Sequence, residues 1–105
     1  MGKLSRTKGK RTELECVQLW RQAGFPFARR NLTQFQERSG RDLLNTEPFL
    51  VQIKAGANPS VWQALKEAEG EAKKEEIPVA MVKRDRGEWI VAMSWKEFLK
   101  VLNPK

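Results

Sequence analysis

The chain has 105 residues, which is the length of one domain and leaves no room for a second. Hydrophobic residues make up 40% and charged residues 31%, a composition typical of a soluble globular protein. The absence of histidine and the single cysteine exclude histidine-dependent catalytic triads, zinc sites built on these ligands and an internal disulfide. Because no long apolar segment or secretory leader is found, we expect a cytoplasmic protein that makes no membrane contact.

Positive charge is concentrated at the amino terminus. The chain has 20 Lys and Arg residues against 13 Asp and Glu residues, a net charge of +7. Residues 1–12 hold five of the basic residues and none of the acidic ones, whereas the other 93 residues hold 15 and 13. We predict a flexible basic arm over residues 1–10 and a single domain over residues 11–105. Such an arm is typical of proteins that bind polyanions, nucleic acid above all, and the plainer alternative is a solubilising tail.

The first half of the chain predicts one helix and two short strands. Apolar residues at helical spacing predict a helix over residues 11–24, ended by Gly24. After it we predict a strand at 25–30, a polar loop at 31–41, a short strand at 42–45 and a turn at 46–48.

Residues 49–55 alternate in polarity with the period of a β-strand. The two predicted faces are Phe49, Val51 and Ile53 on one side, and Leu50, Gln52 and Lys54 on the other. Two polar side chains on one face of an otherwise apolar strand depart from the pattern of a purely structural central strand, and such departures are expected at functional sites. The alternative is an edge strand with one face in water.

A helix is predicted between this strand and the next one. Asn58 is the expected N-cap, Pro59 follows in the first turn, and the helix runs to about Glu76. A helix in this position carries the chain over the sheet, which implies that the two strands it joins are parallel.

The rest of the chain predicts a hairpin and a final helix. The hairpin strands are 79–84 and 88–93, and a capping box of Ser94 and Glu97 starts a helix over 95–102. The expected fold class is therefore α/β, with one small domain in which a central mixed β-sheet is flanked by helices.

Four polar residues are candidates for chemistry: Glu13, Asp42, Gln52 and Lys54. Glu13 shares a face with the apolar side chains of the first predicted helix. It is either a carboxylate aimed at the core or a first-turn residue that favours the helix dipole. Asp42 opens a short strand, where it is either placed to bind a metal ion or is an ordinary turn residue.

In their order along the chain, these residues resemble the PD-(D/E)xK nuclease superfamily, and within it the archaeal-type Holliday junction resolvases in a phage-borne version. The family's opening pattern is matched by Lys8-Gly9, Glu13 and Gly24-Phe25, its aspartate by Asp42, and its apolar-Glu-apolar-Lys strand by Val51-Gln52-Ile53-Lys54. The chain departs from the family in two places, because Arg41 replaces a proline and Gln52 replaces the usual glutamate. Glutamine still offers a carbonyl oxygen to a hard cation but removes one negative charge.

The resemblance implies a restriction-endonuclease-like fold and a structure-selective endonuclease that resolves four-way junctions. The reaction is Mg²⁺-dependent hydrolysis, with Mn²⁺ as a substitute, and it leaves a 5′ phosphate; no small-molecule cofactor is implied. The metal ligands implied are Glu13, Asp42, the Gln52 side chain and the backbone carbonyl of Ile53. Lys54 would orient the water or stabilise the charge on phosphorus. Glu37 and Glu47 are weaker candidates for an additional carboxylate.

The same resemblance implies branched DNA and a second copy of the chain as partners. Expected contacts with DNA phosphates come from Arg6, Lys8, Lys10, Arg11, Arg29, Arg30 and Arg41. The basic residues around 83–86 are interpreted as a solvated hairpin tip rather than a second contact. Two symmetric cuts require a homodimer. Trp62, Trp89 and Trp95 are candidates for its interface, although we expect at least two of them to be core.

Three other functions fit the sequence. The first is a related small nuclease that acts on other branched, nicked or mismatched DNA. The second is a non-catalytic DNA-binding module that lost activity through Gln52; the presence of Glu13, Asp42 and Lys54 argues against it. The third is an RNA-binding α/β adaptor, which would need exposed aromatic residues on its strands.

Overall fold

Eight helices and strands follow one another along the residues that the computed structural model describes, which are 2–32 and 41–104. Side chains of the first helix are described from Lys10 onward. The elements in chain order are α1 (Gly2–Gln22), β1 (Arg29–Arg30), β2 (Leu43–Leu44), β3 (Phe49–Gly56), α2 (Val61–Glu71), β4 (Ile77–Arg84), β5 (Ile90–Ala92) and α3 (Trp95–Leu102).

The central sheet contains three strands in the order β3-β4-β5. Strands β3 and β4 are parallel, with Phe49 opposite Ile77 and Gly56 opposite Arg84, and β5 is antiparallel to β4. Helix α2 connects the two parallel strands, as the sequence predicts. The short strands β1 and β2 form a separate antiparallel pair beside β3. The prediction of an α/β domain with a mixed sheet flanked by helices is confirmed.

Strand β3 has helices on both of its faces. Val51 and its alternate neighbours pack into a cluster with Cys16 and Val17 of α1 and with side chains of β2 and β4. On the opposite face, Lys54 reaches α2, where its Nζ lies 3.3 Å from both carboxylate oxygens of Glu67. The predicted alternation of the two faces is therefore confirmed. Strand β3 is the first strand of the three-stranded sheet, as the edge-strand alternative holds, but its polar face is covered by α2 and is not open to water.

An aromatic group fixes the end of α1 on this core. Trp20 contacts the rings of Phe25 and Phe49, and its Nε1 donates to the Met81 Sδ at 2.8 Å. Gly24 has a φ of 117°, a conformation that glycine adopts without a steric penalty, so the helix ends where the sequence predicts.

Several predicted boundaries are wrong. Helix α1 begins at Gly2 and not near residue 11, so it extends through the segment predicted as a flexible arm. The division into residues 1–10 and 11–105 stays a prediction. The first predicted strand shrinks to the two residues of β1. The predicted loop at 31–41 lies mostly outside the described residues.

Helix α2 is shorter than predicted at both ends. Its N-cap is Ser60, not Asn58, because the Ser60 side chain accepts a hydrogen bond from the Gln63 N–H at 3.1 Å. The helix ends at Glu71, after which Ala72 is extended and the Lys73 N–H donates to Glu76 Oε1. In contrast, α3 has the predicted bounds, with Ser94 as its N-cap.

The expectation that at least two of the three candidate interface tryptophans are core is wrong. Trp89 packs against the larger core cluster, but Trp62 is 81% exposed and Trp95 is 66% exposed. No helix of the described residues is long and apolar enough to cross a membrane.

Candidate active site

Two hydrogen bonds hold Asp42 against the middle of β3, and a third joins it to Asn31. Its Oδ2 accepts from the Ile53 N–H at 2.8 Å, and its own N–H donates to the Val51 carbonyl. On the other side, the Asn31 N–H donates to the Asp42 carbonyl at 3.0 Å. The carboxylate therefore lies at the peptide bond that joins Gln52 to Ile53. This is a fixed position at a strand, not that of an ordinary turn residue.

The groups that shift the pKa of Asp42 come from three separate elements. Burial is the largest cause that raises the pKa of Asp42 to about 6, and the carboxylates of Glu13 on α1 and Glu67 on α2 raise it as well. The Ile53 N–H and the Lys54 ammonium on β3 act in the opposite direction. Glu13 and Lys54 therefore lie within electrostatic range of Asp42, and so does Glu67, which the sequence did not suggest.

Glu13 is half-buried and paired with a cation. Its Oε1 accepts from the Arg30 Nε at 2.8 Å, and both side chains are less than one quarter exposed. The alternative prediction, that Glu13 favours the helix dipole from the first turn, is wrong because α1 begins at Gly2. Arg30, a predicted DNA contact, instead connects β1 to α1 and neutralises Glu13.

Gln52 carries the strongest sign of a missing ligand. It is 7% exposed, and its Oε1 accepts no hydrogen bond from any residue in the described part of the chain. A buried carbonyl oxygen without a partner costs about 1–3 kcal/mol, so such atoms are rare unless a water or an ion satisfies them.

Sequence analysis missed Glu67. It accepts from the Lys54 Nζ and from the Gln63 Nε2 at 3.2 Å. Of the two helpers suggested instead, Glu37 lies outside the described residues. Glu47 is exposed near Phe27 and Asn45, at a different opening. The one available signal was that a lysine on an apolar strand face needs an anion, which the crossover helix is placed to supply.

The oxygen donors present fit a magnesium ion better than a metal that prefers sulfur or nitrogen ligands or needs many protein ligands. Within residues 2–32 and 41–104, no three Asp, Glu, Cys or His side chains form a group that could hold a metal alone. The carboxylate of Asp42, the unpartnered Oε1 of Gln52 and the carbonyl of Ile53 are nevertheless hard oxygen donors on adjacent parts of the chain. Mg²⁺ keeps several waters and is often held by only one or two carboxylates, so a sparse set is sufficient.

Cys16 lies beside this site but belongs to the core. It is fully buried, and burial is the main cause that raises the pKa of its thiol to about 12, with smaller contributions from Glu15, Asp42 and Glu13. The thiol therefore stays neutral at physiological pH, which excludes it as a nucleophile.

The predicted DNA-binding cations have different surroundings. Lys10, Arg11 and Arg29 are exposed, whereas the side chains of Arg6 and Lys8 lie outside the described residues. Arg41 makes a bidentate ion pair with Glu76, at 2.8 and 3.0 Å, which joins the segment before β2 to the segment before β4. This geometry assigns Arg41 a structural role in the free protein.

The hairpin between β4 and β5 lines a basic cleft with α1, and its tip residues Arg84, Asp85 and Arg86 are exposed, in agreement with a solvated tip. The cleft has a volume of about 230 Å³ and is lined by Arg11, Thr12, Glu15, Ala55, Lys83, Arg84, Asp85, Arg86 and Trp89. Trp89 Nε1 donates to Glu15 Oε1, and Lys83 Nζ lies 3.4 Å from the same oxygen. The Asp85 N–H donates to the Gly56 carbonyl at 2.8 Å, which fixes the hairpin against the end of β3.

Backbone conformation singles out one residue of this hairpin. Arg86 has a φ of 63°, a left-handed conformation that glycine or asparagine adopts more readily than arginine. Residues held in such conformations are concentrated at functional sites.

No protein-family profile, no curated protein and no solved structure matches the chain.

Proposed function

We propose that this protein is a Mg²⁺-dependent endonuclease with a restriction-endonuclease-like fold that acts on branched DNA, and on four-way junctions in particular. The observation that carries the proposal is the unpartnered Oε1 of buried Gln52, one residue before the Ile53 N–H that donates to the Asp42 carboxylate. Glu13 and Lys54, the remaining residues of the ordered set that resembles the junction resolvases, lie close enough to Asp42 to shift its pKa.

Each residue of the site has a distinct task in phosphodiester hydrolysis. Asp42, Gln52 and the Ile53 carbonyl would hold the metal, and Glu13 would bind its water ligands or a second ion. Bound Mg²⁺ would supply charge neutralisation at the phosphate and an acidified water, so no histidine is required. Lys54 stabilises the negative charge that develops on the phosphate, and Glu67 holds its ammonium in place beside β3.

DNA would reach this site along the basic cleft and the amino-terminal part of α1. Arg11 lines the cleft, and Ala55, which follows Lys54 directly, also lines it, so the cleft begins where β3 leaves the site. Contacts of this kind bind phosphates without reading base sequence, as expected of an enzyme that selects DNA by its branched shape. Paired cuts in a junction would further require two copies of the protein.

A non-catalytic DNA-binding module is the second candidate. The observation in its favour is the shortage of available carboxylates, because Glu13 is paired with Arg30 and Glu67 with Lys54. This module would keep the fold and the salt-sensitive binding of branched DNA but would not cut it.

A cleavage assay with three labelled DNAs separates these candidates. Purified protein is mixed with a four-way junction, a nicked duplex or a plain duplex, in Mg²⁺ or in EDTA. The proposal expects paired symmetric cuts in the junction alone, only with Mg²⁺, and expects Asp42→Asn to cut at least about 100-fold more slowly while it still binds the junction.

Glu47→Gln is the matched control because it removes one carboxylate from an exposed position outside the site. Cutting of nicked duplex would indicate the related nuclease. Tight binding without cutting would support the non-catalytic module, and wild-type cutting by Asp42→Asn would remove Asp42 from the site.

A further inference from the structure

An apolar surface is left uncovered where α2, β5 and α3 meet, and we refer to it as the α2–β5–α3 face. It surrounds a groove lined by Val61, Trp62, Leu65, Lys66, Glu69, Val91, Ala92, Met93, Ser94, Trp95 and Phe98. Helix α3 has no buried residue, although most of its side chains are apolar. A short helix with this composition depends on packing for its stability, and the described part of the chain leaves its apolar side open.

The exposed area of this face is close to what the centre of a protein interface provides. If a whole tryptophan presents about 250 Å², the exposed fractions of Trp62 and Trp95, 81% and 66%, amount to roughly 350 Å². Ile90 and Phe98, which are 50% and 37% exposed, bring the apolar area to roughly 500 Å². A stable dimer buries about 800 Å² on each partner, including its polar rim.

We propose that the α2–β5–α3 face joins two copies of this chain around a twofold axis. The charged side chains that line the groove are one of each sign, Lys66 and Glu69, so the face has no net charge in a protein of net charge +7. Two such molecules repel each other at most surfaces but can meet here, and a twofold axis allows Lys66 of one copy to pair with Glu69 of the other. A polyanion would gain nothing from this face.

The open edge of the sheet at β5 also favours a second copy of the chain as the partner of this face. Strand β5 is the last strand of the sheet and pairs with β4 alone among the described strands, so one of its edges is open. An open edge with exposed Ile90 and Val91 favours pairing with another strand, and a second β5 related by a twofold axis would be antiparallel to it. The face also carries both a groove and the exposed Trp62, so Trp62 of each copy could insert into the groove of the other.

This inference depends on the exposed face and not on the proposed activity, although a dimer would supply the second site that paired cuts need. Its test is the mass of the protein in solution, measured by light scattering and sedimentation from low to high micromolar concentration. We expect the wild-type protein to reach twice the 12.1 kDa of one chain. Trp62→Glu should raise the dimer dissociation constant by about 30-fold or more, as expected of an interfacial tryptophan.

Phe27→Glu is the matched control, because Phe27 is 78% exposed and lines a different opening with Pro26 and Asn45. It should remain dimeric. Trp95→Glu is the second variant, and circular dichroism checks that each protein keeps its fold. The inference is overturned if the wild-type protein is monomeric over the whole range, if both tryptophan variants stay dimeric, or if the Phe27 variant dissociates equally. A protein that is monomeric in solution and still cuts junctions would overturn this interface but leave the proposed endonuclease activity standing.

Discussion

Asp42 connects the stability of the free protein to its proposed chemistry. A carboxylate that is buried beside Glu13 and Glu67 is expensive to keep ionised, which is why its pKa rises to about 6. The bound metal would compensate for this cost in the working enzyme. Without the metal, the site should lower the free energy of unfolding, as functional sites often do.

We therefore predict that Asp42→Asn stabilises the metal-free protein at pH 7 by about 1–3 kcal/mol. The folded state binds the Asp42 proton more tightly than the unfolded state, so this carboxylate lowers stability as the pH rises from about 4 to about 6, and the loss is complete above that range. Asparagine cannot ionise and avoids the loss, so the difference should vanish towards pH 4. Urea unfolding in EDTA at several pH values measures it, with Glu47→Gln as the control. Equal stabilities of the wild-type protein and Asp42→Asn at pH 7 would show that the ionised Asp42 carboxylate does not lower the free energy of unfolding.

Because Gln52 is neutral, the site has one negative charge fewer than it would have with a glutamate at this position. We predict that Gln52→Glu lowers the Mg²⁺ concentration for half-maximal cleavage by about 3- to 10-fold, because ligand charge tunes the affinity for hard cations. The same variant should be less stable than the wild-type protein in EDTA, since it adds a buried anion beside Asp42. Gln22→Glu, at the exposed end of α1, is the matched control. A large loss of cutting by a folded Gln52→Glu variant would mean that residue 52 does not bind the metal.

At the scale of elements, the correct predictions concern features that depend on neighbouring residues. The alternation in β3 and the Ser94 cap of α3 depend on residues close in sequence, and both predictions are confirmed. The start of α2 was misplaced because Asn58 and Ser60 are both good N-caps, and only Ser60 accepts the Gln63 N–H. The local pattern of residues does not distinguish these two N-cap positions.

The candidate site shows the same division. Glu13, Asp42, Gln52 and Lys54 were chosen because their order along the chain resembles a nuclease motif, and their roles stay predictions. The partners that complete the site could not, since Arg30 pairs with Glu13 and Glu67 with Lys54 only when β1 and α2 are packed against their neighbours. The partner of Arg41 could not be predicted for the same reason, because Glu76 is far away in sequence and adjacent in the fold. The contact of Arg41 with DNA stays a prediction.

At the scale of the whole molecule, charge and apolar surface are separated. The cations of the cleft lie between α1 and the hairpin, whereas the α2–β5–α3 face carries almost no net charge. This arrangement allows DNA and a second copy of the chain to bind different surfaces of the protein, so the two partners do not compete.

The salt dependence of DNA binding tests where the phosphates lie. Each phosphate contact contributes about 0.9 to the slope of log K against log salt concentration, so the double variant Arg84→Gln/Arg86→Gln should reduce that slope by about 2 if both side chains bind phosphates. Lys74→Gln/Lys96→Gln removes the same charge from exposed positions outside the cleft and should change the slope little. Binding of a four-way junction in EDTA, measured from low to high salt, gives both slopes without any cutting. Equal decreases in the two double variants would mean that only the total charge matters and that the cleft is not the path of the DNA.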